Sequence, residues 1–400
     1  MNNHFPIVLA SLLCISACSD EIRLGLDIPE SEDYSKVYIP QAASSPCLKS
    51  IFISDDVQTI GLSAFYGGPS MPGRDILVEF EPRPELVAEY NEFNGTDYTV
   101  LPEGSYSLSS STATIKAGQQ YSDKLNVNIE TVGNIQVAKQ YMLPVSIKSV
   151  SDSESVNDKL STVYYVITGS YLPGQVPREK VLSFGQPMTN PIICVNKDLL
   201  VIDANHDLIL YQLDGNGNYQ KTRKIGEGWY FDIAFYMPPE NRILARDMNT
   251  NITQFYFTED YSFYGIGTIG FGWGIYNDLI PFKDISLIAL GAADGALYNW
   301  TLKSSNWNYY NAFGQGWGAF INLFCFNNYL IAIEENGTMA AYSLSNATPP
   351  AVGPRRNIGT GWNQYKKLFQ CGEDLLALDD NGDLWKYQFT PEGYWPLTAE

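Results

Sequence analysis

The chain has 400 residues, 45% of them hydrophobic, 14% aromatic and only 17% charged. That much apolar and aromatic material excludes intrinsic disorder. The 27 Tyr, 19 Phe and 8 Trp, with 33 Gly and 22 Pro as turn punctuation, point away from helical arrays and toward pleated sheet. Lys and Arg total 25 against 44 Asp and Glu, a formal charge of -19. A nucleic-acid partner is excluded by the missing basic footprint, since Arg355-Arg356 is a lone pair. An acidic, ring-rich surface suits a neutral ligand such as carbohydrate. Acidity that merely keeps the chain soluble is the plainer reading.

Residues 1–17 read as a secretory signal. A polar start, Met1-Asn2-Asn3-His4, precedes an apolar run from Ile7 to Ala17, too short to span a bilayer. The run ends Ile15-Ser16-Ala17-Cys18, which resembles the bacterial lipobox. That resemblance implies cleavage before Cys18, lipidation of Cys18 and an outer-membrane location. Ser19-Asp20-Glu21 resembles the acidic export tag of Bacteroidota surface lipoproteins and implies an outward-facing protein. Residues 18–35 would then be a lipidated tether.

Residues 36–171 show no repeat but many strand-like runs. Among them are Val37-Tyr38-Ile39, Ile76-Leu77-Val78-Glu79-Phe80, Leu125-Asn126-Val127-Asn128-Ile129 and Val163-Tyr164-Tyr165-Val166-Ile167. Seven such runs with turns between them predict an Ig-like β-sandwich. One helix is predicted after Pro84, with Leu86, Val87, Tyr90 and Phe93 at helical spacing and Asn94-Gly95 as its stop. The stretch from Leu86 to Gln119 resembles an uncharacterised N-terminal domain of Bacteroidota surface lipoproteins. The resemblance implies a spacer, or a dock for an outer-membrane importer complex. Leu172-Pro173-Gly174-Gln175-Val176-Pro177 opens a linker over 172–179, stiffened by its prolines.

Residues 180–400 carry a repeat. Gly-x-Gly-Trp occurs at 226–229, 270–273, 314–317 and 359–362, so the tryptophans lie 44, 44 and 45 residues apart. A degraded copy, Phe184-Gly185-Gln186-Pro187-Met188, precedes them. Some 13 or 14 residues after each Trp comes an apolar run and then a turn, clearest in Leu375-Leu376-Ala377-Leu378 and Asp379-Asp380-Asn381-Gly382-Asp383. Asn-Gly and Asp-Gly between such runs are hairpin signals. Units of about 44 residues with several strands each are propeller blades. The predicted architecture is all-β: the Ig-like β-sandwich followed by a five-bladed β-propeller. Lys180–Ser183 or Tyr394–Leu397 closes the ring.

The run Ile358–Phe369, with Leu375–Leu378 and Asp380–Trp385, resembles the repeat of tachylectin-type lectins. The resemblance covers roughly residues 180–400. It implies a five-bladed propeller that binds N-acetylhexosamine-containing glycans, one site per blade. The turn residues differ between units (Asn205, Asn249, Asp294, Asn336, Asn381), and the first unit lacks the Trp, so a site in every blade is not implied.

Each Gly-x-Gly-Trp supports two readings. The glycines permit a positive-φ bend while Trp fills the space between blades. Alternatively, Trp229, Trp273, Trp317 and Trp362 offer their faces to sugar rings, aided by backbone N–H groups at Gly228, Gly272, Gly316 and Gly361 and by Asn363. Asp379 and Asp203 each begin an Asp-rich turn, but the twelfth positions are Thr390 and Asp214, not the Glu of a calcium loop, so no metal is expected. No cofactor motif and no catalytic motif is present. Cys194, Cys325 and Cys371 sit in apolar runs and are expected as free, buried thiols, and Cys47 as a loop residue. The sequence therefore predicts a lipid-anchored, surface-exposed glycan-binding protein that is not an enzyme. A propeller glycoside hydrolase and a protein-interaction module of a glycan-import complex are the alternatives.

Overall fold

The computed structural model describes residues 35–151, 155–238, 240–283 and 285–399. The predicted signal, Cys18 and the tether up to residue 34 lie outside the described residues. Strand dominates throughout, and the predicted helix is Leu86–Asn94, stopped by Gly95 at φ 64°.

In the N-terminal half, strands Cys47–Phe52, Thr162–Ser170, Gln140–Val150, Ile76–Pro82 and Thr112–Ile115 form one sheet in that order. A second sheet joins Gln58–Leu62, Leu125–Ile129 and Tyr106–Leu108, and a third joins Ser155–Val156, Lys36–Tyr38 and Phe65–Gly67. Alternation places Val78, Phe80, Leu143, Val145, Tyr165 and Ile167 in one shared core. Cys47 is not in a loop: it opens a strand and pairs with Tyr165, since the backbone edge of Thr162–Ser170 is available to it.

Beyond residue 190 the chain folds into five sheets of antiparallel neighbours. The first comprises Ile192–Val195, Asp198–Ile202, Leu208–Leu213 and Tyr219–Gly226. The second runs over Phe231–Met237, Arg242–Asp247, Ile252–Phe257 and Phe263–Gly270. The third has Tyr276–Phe282, Ser286–Gly291, Leu297–Lys303 and Asn306–Gly314. The fourth has Asn322–Phe326, Tyr329–Ile333, Met339–Leu344 and Val352–Thr360, with Trp395–Pro396 added in parallel. The fifth takes Tyr365–Cys371, Asp374–Asp379 and Asp383–Gln388, and its outer strand is Glu179–Ser183 from before the first sheet.

The leading strands of the five sheets neighbour one another in cyclic order, the fifth returning to the first. Five apolar clusters fill the gaps between successive sheets, one per gap. Each sheet is thus buried on both faces, which explains the unbroken apolar runs. In Ser286–Gly291, Leu287 and Ala289 face one cluster while Ile288 and Leu290 face the next. Both segments proposed for closure take part. Glu179–Ser183 completes the fifth sheet, and Trp395–Pro396 lines the edge of the fourth.

The cysteine expectation is overturned. Cys194 and Cys371 form a disulfide, with Cα atoms 5.5 Å apart. They lie 177 residues apart in sequence, on the leading strands of the first and fifth sheets, so only ring closure brings them together. Cys325 is free and partly buried. The predicted linker is also docked rather than free: Val176 is buried against the cluster of the fourth and fifth sheets, and the Arg178 guanidinium lies 4.0 Å from the Trp385 ring centre. Val137 and Tyr171 touch both this cluster and the N-terminal core.

A cross-link closing a loop of this length removes about 5 kcal/mol of unfolded-chain entropy on the loop model, and loss of a native disulfide typically costs about 2–5 kcal/mol. Replacing both cysteines (Cys194→Ser with Cys371→Ser) should lower the unfolding free energy by about that amount, read as a shift of the urea midpoint. Dithiothreitol should reproduce the shift in the parent chain and leave the double variant unmoved.

Candidate functional site

The repeated motif builds one end of the ring. In each of its four copies the Trp amide donates to the hairpin turn of the same sheet. Trp229 bonds the His206 carbonyl at 2.8 Å, Trp273 bonds Thr250 at 2.9 Å, Trp317 bonds Gly295 at 2.8 Å and Trp362 bonds Gly337 at 3.0 Å. The turns are themselves tied by their first acid. Asp379 Oδ1 accepts the amides of Asn381 and Asp383, and Asp203 Oδ1 those of Asn205 and Asp207, all at 2.9 Å. Those carboxylates are engaged as turn braces.

All four tryptophans are buried, at 5%, 4%, 6% and 0% exposure for Trp229, Trp273, Trp317 and Trp362. Each indole plugs the end of an inter-sheet cluster. Ring neighbours lie 4.5 Å away at Phe255, 4.7 Å at Trp307, 4.6 Å at Tyr342 and 5.0 Å at Tyr387, respectively. The indole faces are therefore spent on packing, and the filler reading accounts for the Trp positions.

The glycines follow from the same geometry. A Cβ on Gly226, Gly270, Gly314 or Gly359 would stand 2.3, 2.3, 2.5 or 2.5 Å from the Nε1 of its own motif's Trp. The second glycines, Gly228, Gly272, Gly316 and Gly361, hold φ between 71° and 79°. Gly228, Gly272 and Gly316 are open to solvent, whereas Gly361 is covered by Thr398. Asn363 is exposed, but its Nδ2 donates to the Glu335 carbonyl at 2.8 Å, bracing the fourth sheet's turn.

What this end presents to solvent varies between copies. Phe271 is 77% exposed, and Tyr230 is exposed with its ring 4.2 Å from that of His206. Beside the third copy a cleft of about 650 Å³ opens between the third and fourth sheets. Ala319, Phe320, Glu334, Glu335, Asn336 and Arg355 line it. Phe320 leans on Trp317, with ring centres 5.5 Å apart, and Tyr342 completes the aromatic floor. Arg355 is fixed by Glu334 at 2.7 Å and by Asn357 at 2.9 Å. The Glu334 hydrogen bond and charge hold the guanidinium above its ordinary pKa, with burial opposing. Aromatic edge, carboxylates, amide and guanidinium thus converge on one open concavity.

Phe320 and Arg355 were not among the sequence-predicted site residues. Arg355 carried a readable signal as half of the only Arg-Arg pair in an acidic chain. Phe320 carried none, because it stands outside the repeated motif. Among the described residues no three His, Cys, Asp or Glu side chains are placed to hold a metal ion, and no helix is long and apolar enough to cross a membrane.

A family model described as a "-like, N-terminal domain" matches residues 33–154. No curated protein matches the chain. Among solved structures, the chain is similar to a Bacteroides ovatus protein provisionally described as carbohydrate binding. The identity is 13% and the TM-score 0.34, covering 88% of this chain and 95% of that one. EndoBT-3987 of Bacteroides thetaiotamicron, solved with a Man5GlcNAc product, shares 14% identity at a TM-score of 0.29 over 46% of this chain and 40% of that one. The PQQ domain of a Coprinopsis cinerea pyranose dehydrogenase shares 9% identity at a TM-score of 0.32 over 54% of this chain and 98% of that one. Similarities this low carry no argument about function.

The packing explanation has a direct check. Gly314→Ala drives a methyl into Trp317 and should cost about 1–3 kcal/mol, the usual penalty for overpacking. Gly316→Ala should cost about 1–2 kcal/mol through its positive φ, and Trp317→Ala about 3–5 kcal/mol. Gly215→Ala, with nothing within 4 Å of the added carbon, should leave the denaturation midpoint unmoved.

Proposed function

We propose that this protein captures glycans at the bacterial cell surface. In this reading the five sheets are the blades of a five-bladed propeller and the N-terminal half is an Ig-like sandwich that lifts it from the membrane. The observation that carries the reading is the cleft beside Phe320. A pyranose has an apolar C–H face and a belt of hydroxyls that both donate and accept. Phe320 meets the first requirement, while Glu334, Glu335, Asn336 and Arg355 meet the second. A neutral ligand also suits a chain with a formal charge of -19. N-acetylhexosamine-containing glycans are the class that the lectin-like repeat implies.

Two features support the location. The Cys194–Cys371 bond belongs to an oxidising compartment, so it fits an exported chain. The Ser16-Ala17-Cys18 sequence fits lipid anchoring at the outer membrane, and Ser19-Asp20-Glu21 fits exposure outside it. An outer-membrane importer is the partner this arrangement would feed. The protein holds its glycan without cleaving it.

The test is titration with N-acetylglucosamine oligomers, read by Trp fluorescence because Trp317 lies under the cleft, with chromatography of the sugar afterwards. Arg355→Ala and Phe320→Ala should each weaken binding about tenfold or more with the fold intact, as expected for losing a charged hydrogen bond or a stacking ring. Unchanged affinity in both variants, or shortened oligomers in the mixture, would overturn the reading.

A further inference from the structure

A second concavity runs along the axis of the ring. It measures about 750 Å³ and is lined by the leading strands of all five sheets. That volume falls within the range of about 300–1,000 Å³ typical of small-molecule sites.

The strand register identifies which residues share one level of it. Ile233 pairs with Arg246, Asp278 with Leu290, Asn322 with Ile333 and Lys367 with Leu378. The partners are successive copies of one position in the second strands. In the first sheet the Ile202 amide bonds Pro191 at that level. The level is therefore two-sided: sheets three, four and five contribute Asp278, Asn322 and Lys367, sheet two contributes Ile233, and sheet one borders the channel with Ile192, next to Pro191. Packing asks nothing polar of this position, since two of the five copies are apolar.

The polar side is under-used by the protein. The Lys367 ammonium makes no hydrogen bond and no ion pair among the described residues. Asp278 accepts only the amide of its neighbour Leu279, at 2.8 Å. Asn322 donates Nδ2 to the Lys366 carbonyl at 3.2 Å, and its Oδ1 accepts nothing among the described residues. Both charged groups are walled by protein yet touched by solvent, as on the side of a channel. Burial pushes the Asp278 carboxyl up, against the Leu279 amide and the charges of Lys367 and Arg246. Burial pulls the Lys367 ammonium down, against Asp278. By contrast, the nearby Asp232 is fully engaged by Arg246, at 3.1 Å to each carboxylate oxygen from Nε, and Arg246 also bonds the Trp273 and Tyr276 carbonyls.

We propose that the axial channel is a separate binding site for one neutral, hexose-sized sugar ring, held by Asp278, Asn322 and Lys367 against the apolar side formed by Ile192 and Ile233. A hydroxyl can donate to Asp278 and accept from Lys367, and the opposite ring face meets the isoleucines. One carboxylate and one ammonium leave the level without net charge, which disfavours an anionic or cationic ligand. The site shares no residue with the Phe320 cleft and stands independently of it.

The experiment is calorimetry, with saturation-transfer NMR, on the full chain. The probes are D-glucose, D-galactose, D-mannose and N-acetyl-D-glucosamine, with glycine and L-alanine as zwitterionic probes. At least one sugar should saturate one site. Asp278→Asn and Lys367→Met should each weaken it about tenfold or more, the loss expected for one charge-assisted hydrogen bond. If Lys367→Met fails to fold, Asn322→Ala interrogates the same level. No saturating sugar, a sugar whose affinity is unchanged in these variants, or saturation by the amino acids alone overturns the proposal. Loss of monosaccharide binding in Asp278→Asn with oligomer capture retained separates this site from the cleft. A chain that binds oligomers only through Arg355 sinks the channel and spares the cleft.

Discussion

Burial of every sheet on both faces is the constraint on which the C-terminal half depends. No one sheet has a solvent face large enough to let it stand alone, so each needs two neighbours and the series must return on itself. Four of the gaps lie between sheets adjacent in sequence. The fifth, between the last sheet and the first, has to be assembled from opposite ends of the segment. There the chain uses three devices: the Val181, Leu199, Leu376 and Leu384 cluster, the strand Glu179–Ser183 on the edge of Asp383–Gln388, and the Cys194–Cys371 bond. Covalent closure is concentrated where local contacts are unavailable, which is where loop-closure entropy is largest.

The Gly-x-Gly-Trp repeat is a consequence of that burial. The Trp at the end of four of the five gaps must fold back over its own strand, and only a glycine leaves room beneath the indole. A second glycine then turns the chain with positive φ toward the next sheet. Once indole and glycines are committed to packing, the side chains this end turns toward solvent are those beside the motif, such as Phe320, Arg355 and Glu335.

Much of this was legible in the sequence, and the parts that were not have physical reasons. The tryptophan spacing gave the unit, and the apolar runs marked the second strands because burial on both faces erases alternation. Helix Leu86–Asn94 was legible from Pro84 and Asn94-Gly95, both local signals. Cys194 and Cys371 were misjudged because each sits in an apolar strand, where a thiol and a half-cystine look alike, and their meeting depends on ring closure. The docked segment around Val176 and Arg178 looked like a linker because its prolines are local and its partners, Tyr365 and Trp385, lie 187 and 207 residues beyond Arg178. The candidate site was legible as a region and not as residues. The repeat and the cleft lie at the same end of the ring, but a motif reports what the copies share, and the cleft and the axial level are made of what they do not share.

The strand Glu179–Ser183 also sets how the molecule carries tension. A pull between the N-terminal half and the ring, once it has drawn off the docked segment around Val176 and Arg178, loads this strand, which lies antiparallel to Asp383–Gln388 and is further held by Lys180 to Asp383 and Lys386 to Glu179. Load along it is shared by the whole ladder at once instead of unzipping it one bond at a time. Behind it, the bond between Cys194 and Cys371 joins the inner strands directly. Tearing the outer strand away would therefore expose one edge of the fifth sheet and leave the first and fifth sheets bonded to each other, so the strand can yield as a fuse while the ring stays shut.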